Sequence, residues 1–158
     1  MGAHDDSIYI YKISKQGEYS LYWAITFVHS SAILGIDWTR DSKYMRAVDQ
    51  AYAKIFYDVE NTCSLNDGMQ TMVDPTLWHT STCKLGWDVN GVFMSGADGT
   101  DINAVDANEN RTLMVAGDDF GSMCVYKYPV VKNIQPCRRM TGHAEHVPRV
   151  RFYNSDKN

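Results

Sequence analysis

The spacing of turn formers in residues 84–128, KLGWDVNGVFMSGADGTDINAVDANENRTLMVAGDDFGSMCVYKY, limits the fold more than any other feature. Apolar runs at 85–94, 102–105, 113–116 and 123–128 are parted by 95–99, 106–110 and 117–121, which are rich in Gly, Asp, Asn and Ser. Short apolar runs joined by tight turns predict four strands of one small antiparallel sheet. Such a sheet cannot bury both faces alone. It needs a neighbour like itself, and the flanking sequence offers candidates.

Those flanks predict strands at 8–13 (IYIYKI), 19–28 (YSLYWAITFV, with a bend), 33–38 (ILGIDW), 44–48 and 54–57. On the far side, 130–136 reads as a linker, and 137–140 and 147–153 (VPRVRFY) as strands. Residues 61–80 have no clear period and hold Gly68 and Pro75. A connection that long inside a domain usually carries a role. No helical period stands out. The runs DSIYIYKI, AYAKIFYDV and SMCVYKYP resemble one another, and so do SSAILGIDW, GTDINAVD and EHVPRVRFY. This is an internal repeat of short strands with an insertion before the middle copy.

Composition supports strands and narrows the function classes. Aromatic residues make up 12% of the chain, which favours strands over helices. A formal net charge of -4 argues against a nucleic-acid or anionic-membrane binder as a whole. No apolar run reaches the ~20 residues of a membrane-spanning helix, and the polar start MGAHDDS is no signal peptide. Cys63, Cys83, Cys124 and Cys137 lie far apart without CxxC spacing, which reads as free thiols in a reducing compartment.

The order of His-Ser, strand, Asp-bearing turn, strand, and strand ending in aromatic-Asp resembles the WD repeat of β-propellers. His29 matches the Gly-His position with Val28 in place of Gly, Gly142-His143 keeps both, and Tyr57-Asp58 stands for Trp-Asp. The narrower resemblance is to the echinoderm microtubule-associated protein-like (EMAP-like) family. Its matching words are GAHDDSIYIYKI, HSSAILGIDWTRDSKY, CKLGWDVNGVFMSGADGTDINAV and VAGDDFGSMCVYKYP, with DGTDINA the most specific. The resemblance implies an all-β fold of WD-repeat propeller blades, two complete and four-stranded, with partial blades at both ends. The expected division is the end of one blade at 1–18, a blade at 19–60, a connection at 61–80, a blade at 81–129 and the start of the next at 130–158. A propeller needs roughly 4–8 blades to close, so the chain is expected to be a segment of a longer propeller or to need partner chains. The expected structural positions are His29, Asp58, Asp119 and His143. Ala51 occupies a turn position where the repeat usually has Asp, so that either Asp49 substitutes or the tie is missing; Asp5 and Asp119 fill or adjoin that position in the other copies.

The resemblance further implies a non-catalytic scaffold on microtubules, in the cytoplasm and cytoskeleton or in a cilium, with no cofactor, metal, nucleic acid or membrane. The basic-hydrophobic motif that precedes the propellers in that family is not in this sequence. Two other readings stay open: a WD-repeat adaptor in an unrelated assembly, and a hydrolase using Asp98, Asp101 and His79. For the last, the calcium-loop ligand pattern is missing, and Asp98-Gly99 reads as a turn. Neither a G-x-S-x-G elbow nor a phosphate-binding P-loop is present. Basic residues gather after Lys132; they read first as a solvated blade rim, and otherwise as a surface for an acidic partner, which clustered cations favour. Arg149 and Arg151 would share one strand face, while Arg138 and Arg139 would point to opposite faces. Trp23, Trp38 and Trp78 are candidate anchors. The partner contacts singled out are Trp78, Arg138, Arg149 and Arg151.

Overall fold

The computed structural model describes residues 1–61, 64–65, 77–93, 101–132 and 135–153. Its strands are β1 (Ile8–Ile13), β2 (Tyr19–Ile25), β3 (Ile33–Trp38), β4 (Tyr44–Asp49), β5 (Lys54–Asp58), β6 (Ser64–Leu65), β7 (Ile102–Ala107), β8 (Leu113–Asp118), β9 (Ser122–Lys127) and β10 (Cys137–Thr141). They form a two-stranded sheet β1-β2 and two four-stranded sheets, β3-β4-β5-β6 and β10-β9-β8-β7, all antiparallel. The fold is all-β. A 3-10 turn, Asn90–Val92, interrupts the strands. The chain divides into two compact units, Met1–Met72 and Val73–Asn158.

The two four-stranded sheets repeat each other down to their irregularities. Register slips between Ile33 and Gly35 in one and between Ile102 and Ala104 in the other, so Leu34 and Asn103 are the extra residues of equivalent β-bulges. The next turns match as well. Thr39 N–H bonds Tyr44 O in the first and Asn108 N–H bonds Leu113 O in the second. Ser42 and Arg111 hold positive φ at the same turn position. In the third pair of turns, Tyr52 (φ 66) occupies the place of Gly121 (φ 75).

Central strands β4 and β8 are almost wholly buried, so they lack the in-out polarity of a half-exposed strand. In the first unit Met45, Ala47 and Tyr57 pack with Ile8, Ile10 and Ile25 of the β1-β2 sheet. In the second, Met114 and Ala116 face a cluster with Val89, Val92 and Val130, while Val115 faces Val147 and Val150 on the opposite side of the same strand. Fully buried Met45 and Met114 each contribute about 1.5–3 kcal/mol.

Several expected boundaries differ. β2 stops at Ile25 rather than 28, because Phe27 turns to positive φ. β2 pairs with β1 and not with β3, so 19–60 is not one sheet, and the fourth strand of the first blade, β6, lies beyond residue 60. Likewise β10 pairs with β9, which places 137–141 in the same sheet as β7–β9 rather than in a following blade. In both repeats the outermost strand comes from sequence after a connection, where turn spacing gives no guide. The run 85–94, expected as a strand, is instead turns and the 3-10 element as far as Phe93. Its backbone is spent on the 128–132 segment: Gly91 N–H bonds Val130 O and Val130 N–H bonds Asp88 O. A Cβ at Gly91 would meet the backbone of Lys132. The expected strand at 147–153 makes no ladder among the described residues. Pro148 has no donor to give one, and Val147 and Val150 bury at a spacing that a strand would place on opposite faces.

The shared turn makes opposite substitutions informative. Tyr52→Gly removes a left-handed side-chain conformation and should stabilise by up to about 1 kcal/mol. Gly121→Ala brings in a Cβ that meets the carbonyl oxygen of His143 at positive φ, and should destabilise by about 1–3 kcal/mol. Urea unfolding midpoints of the two variants are expected to move in opposite directions.

Candidate functional site

Each blade carries one carboxylate at the end of its second strand, and the buried polar chemistry of the blade is gathered there. In the first, Asp49 closes the β4–β5 turn by accepting from Ala53 N–H through Oδ1 at 2.8 Å. Its Oδ2 bonds His29 Nδ1 at 2.9 Å, and His29 Nε2 bonds the Tyr57 hydroxyl at 2.8 Å. With a carboxylate at Nδ1, that nitrogen carries the proton. The His29 and Asp49 side chains have 0% exposure, as does Tyr57 as a whole. Burial pushes the Asp49 carboxyl up. Hydrogen bonds from His29 and the Ala53 and Ser30 backbone, with the charge interaction from His29, more than offset this and hold it below the ordinary value. The row Asp-His-hydroxyl has the order of a proton relay, but its members are sealed from solvent, so the arrangement ties β3's leading loop to β4 and β5.

In the second blade the equivalent carboxylate is Asp118. Its Oδ1 accepts from Phe120 N–H at 3.0 Å and Ser122 N–H at 2.7 Å. Its Oδ2 accepts from Arg139 Nη2 at 3.0 Å, and the same Nη2 reaches Ser122 Oγ at 2.9 Å. The cation on this turn is therefore supplied from β10 rather than by a preceding histidine. Asp119, the residue expected at this position, is exposed and accepts from Asn103 Nδ2 at 2.7 Å, bracing the β7 bulge. The expected frame was displaced: Ala51 aligns with Phe120, and the paired positions are Asp49 and Asp118. Asp5 makes only a local turn, accepting from Ser7 N–H and the Tyr9 hydroxyl.

The remaining candidates scatter. Asp58 accepts from the backbone and side chain of Asn61 and closes the turn after β5. His143 is exposed and its ring makes no tie within a blade among the described residues. His79 is exposed, Asp101 is half-buried beside β7, and Asp98 lies outside the described residues. Trp78 is 2% exposed, with its carbonyl held by Arg111 Nη2, so it is a core residue and not a partner anchor. Arg138, Arg149 and Arg151 are exposed. No three His, Cys, Asp or Glu side chains among the described residues gather as a metal site. Sequence reasoning missed the roles of Arg139 and Tyr57 and the buried pair Arg46–Asp37, at 3.0 Å and on facing positions of β4 and β3. Aligning YMRAVD with LMVAGD would have placed Asp118; nothing local marks Arg139.

The family model for the echinoderm microtubule-associated protein second beta-propeller matches residues 1–158. The chain belongs to the echinoderm microtubule-associated protein family. Echinoderm microtubule-associated protein-like 4 of Homo sapiens is 38% identical over 99% of the chain, and the match covers 16% of that protein. The family member Echinoderm microtubule-associated protein-like 3 of Mus musculus is 35% identical over 99% of the chain and 17% of its own length. The Ciliary WD repeat-containing protein ctxp80 of Euplotoides octocarinatus is 38% identical over 96% of the chain and 20% of its length. The chain thus spans about a fifth or less of these relatives.

The two ties of this EMAP-family propeller segment differ in burial, and so should their energetics. His29→Leu removes the partner of Asp49 Oδ2 and one hydrogen bond of the Tyr57 hydroxyl, and should cost about 1–3 kcal/mol. Arg139 is 43% exposed, so Arg139→Leu should cost under about 1 kcal/mol. Urea unfolding of both variants checks the ranking. Because the Asp49 carboxyl is depressed below 3.8, its contribution is complete above that pH and lost as pH falls through the lower folded value. Asp49→Asn should therefore lose stability at neutral pH, with the gap to the parent narrowing below about pH 4.

Proposed function

We propose that the chain is a non-catalytic protein-interaction module of a microtubule-associated protein and contributes to microtubule binding or organisation in the cytoskeleton or a cilium. The carrying observation is the match of the whole chain to a propeller of the echinoderm microtubule-associated protein family, together with the ciliary name of one relative. The site chemistry agrees with a scaffold. The Asp-His-Tyr row that could have moved a proton is sealed, and the Asp118 cluster is spent on turn closure. What the blades hold outward are turns and edge strands on a stiff frame, the usual place for binding.

Co-sedimentation of the full-length protein with microtubules tests this reading, comparing it with a form from which the propeller containing residues 1–158 is removed as a unit. A reduced pelleting fraction is expected. Equal pelleting of the two forms would place microtubule contact elsewhere and reject the proposal.

A further inference from the structure

The second blade ends in an open, cationic edge. β10 is the outermost strand of its sheet, and all five of its residues, CRRMT, are exposed. Its inner edge pairs with β9, so alternate residues turn N–H and C=O groups outward with no strand to meet them among the described residues. Such an edge is a template for another strand.

Four exposed cations flank it. Arg138 faces Val125 across the ladder, which puts Lys127 on the same sheet face as its diagonal neighbour. The segment 147–153 lies over that face, with Val147, Val150 and Phe152 packed against Val115 and Val125. Arg149 and Arg151 stay exposed between these anchors. No carboxylate pairs with Lys127, Arg138, Arg149 or Arg151 among the described residues. Arg139, on the opposite face, is already committed to Asp118.

We propose that the outer edge of β10, flanked by Lys127, Arg138, Arg149 and Arg151, binds an acidic peptide in extended conformation as an added strand. The edge supplies main-chain hydrogen bonds, which any strand could use. The cations supply selection, since charge complementarity favours an acidic sequence and repels a basic one. The same charges disfavour a second copy of the chain, because β10 against β10 would bring like charges together. The inference goes beyond the proposed function and does not depend on microtubules being the partner.

The test uses the full-length protein and three labelled strand-length peptides: alternating Glu and Val, the same peptide with interior Val replaced by Pro, and alternating Lys and Val. Fluorescence anisotropy should show binding of the Glu peptide alone, weakening with salt. The Pro peptide should bind at least about tenfold more weakly, since it lacks the donors a ladder needs. Arg138→Glu should weaken the Glu peptide by at least about tenfold. Hydrogen exchange across 137–141 should slow when that peptide is added. Absence of binding, equal binding of the Pro peptide, or no slowing at 137–141 would overturn the proposal. So would unchanged binding by an Arg138→Glu protein with an unaltered circular dichroism spectrum. If that variant fails to fold, Arg149→Glu, which lies off the ladder, replaces it, and unchanged binding there overturns the proposal equally.

Discussion

The structure depends on how a strand buried on both faces ends. β4 and β8 run through the middle of their sheets with five of six residues buried in each. The turn that follows must reverse the chain before its backbone donors reach water. A buried N–H left without a partner costs about 1–3 kcal/mol. A carboxylate at the last strand position meets this need, because its two oxygens accept from turn and neighbour together. Asp49 and Asp118 do so with the same first oxygen and different second partners, His29 and Arg139. The acceptor geometry of the turn is the constant. The source of the opposing group varies with what the local sequence offers.

That distinction explains what could be read from residues alone. Strands β1 and β3 were legible to the residue, because each is a short apolar run with turn formers on both sides. The 85–94 run is also apolar but has a different fate. Val89 and Val92 enter the core from a 3-10 turn whose backbone bonds Val130, a partner far along the chain. Local pattern carries no trace of such a contact. The site shows the same divide. His29 and the family were visible in motif words, whereas Asp118 was missed by one place in an Asp-Asp pair. Arg139 was read as half of a basic doublet because its role is set by β10 pairing with β9.

One position in the repeat shows how much freedom the blade allows. Asp37 and Asp106 occupy equivalent places in β3 and β7. Asp37 faces Arg46 across the ladder, and both are fully buried as an ion pair. Removing one member of such a pair costs more than replacing both, because a lone buried charge remains. Asp106 faces Val115 instead. Burial raises its carboxyl above the ordinary value, against the pull of Phe152 N–H and Arg151. A raised carboxylate contributes most at low pH, and that contribution falls as pH climbs through its folded value. The fold therefore accepts either an internal cation or a captured backbone donor at this place, and Asp106 uses the donor to hold 147–153 on the sheet.

These buried acids also change what the overall charge means. The formal net charge of -4 is a sum over all side chains. Asp37, Asp49, Asp88, Asp106 and Asp118 are all buried, and each is bound to a histidine, an arginine, a tyrosine hydroxyl or backbone donors. A carboxylate consumed inside contributes little field at the surface, while an exposed arginine contributes fully within a Debye length of about 8–10 Å. Exposed Lys127, Arg138, Arg149 and Arg151 accordingly stand around β10 in an acidic protein. Net charge excludes a partner only when the charges that make it up are free to meet that partner, and in these blades several of the negative ones are holding turns and strands together.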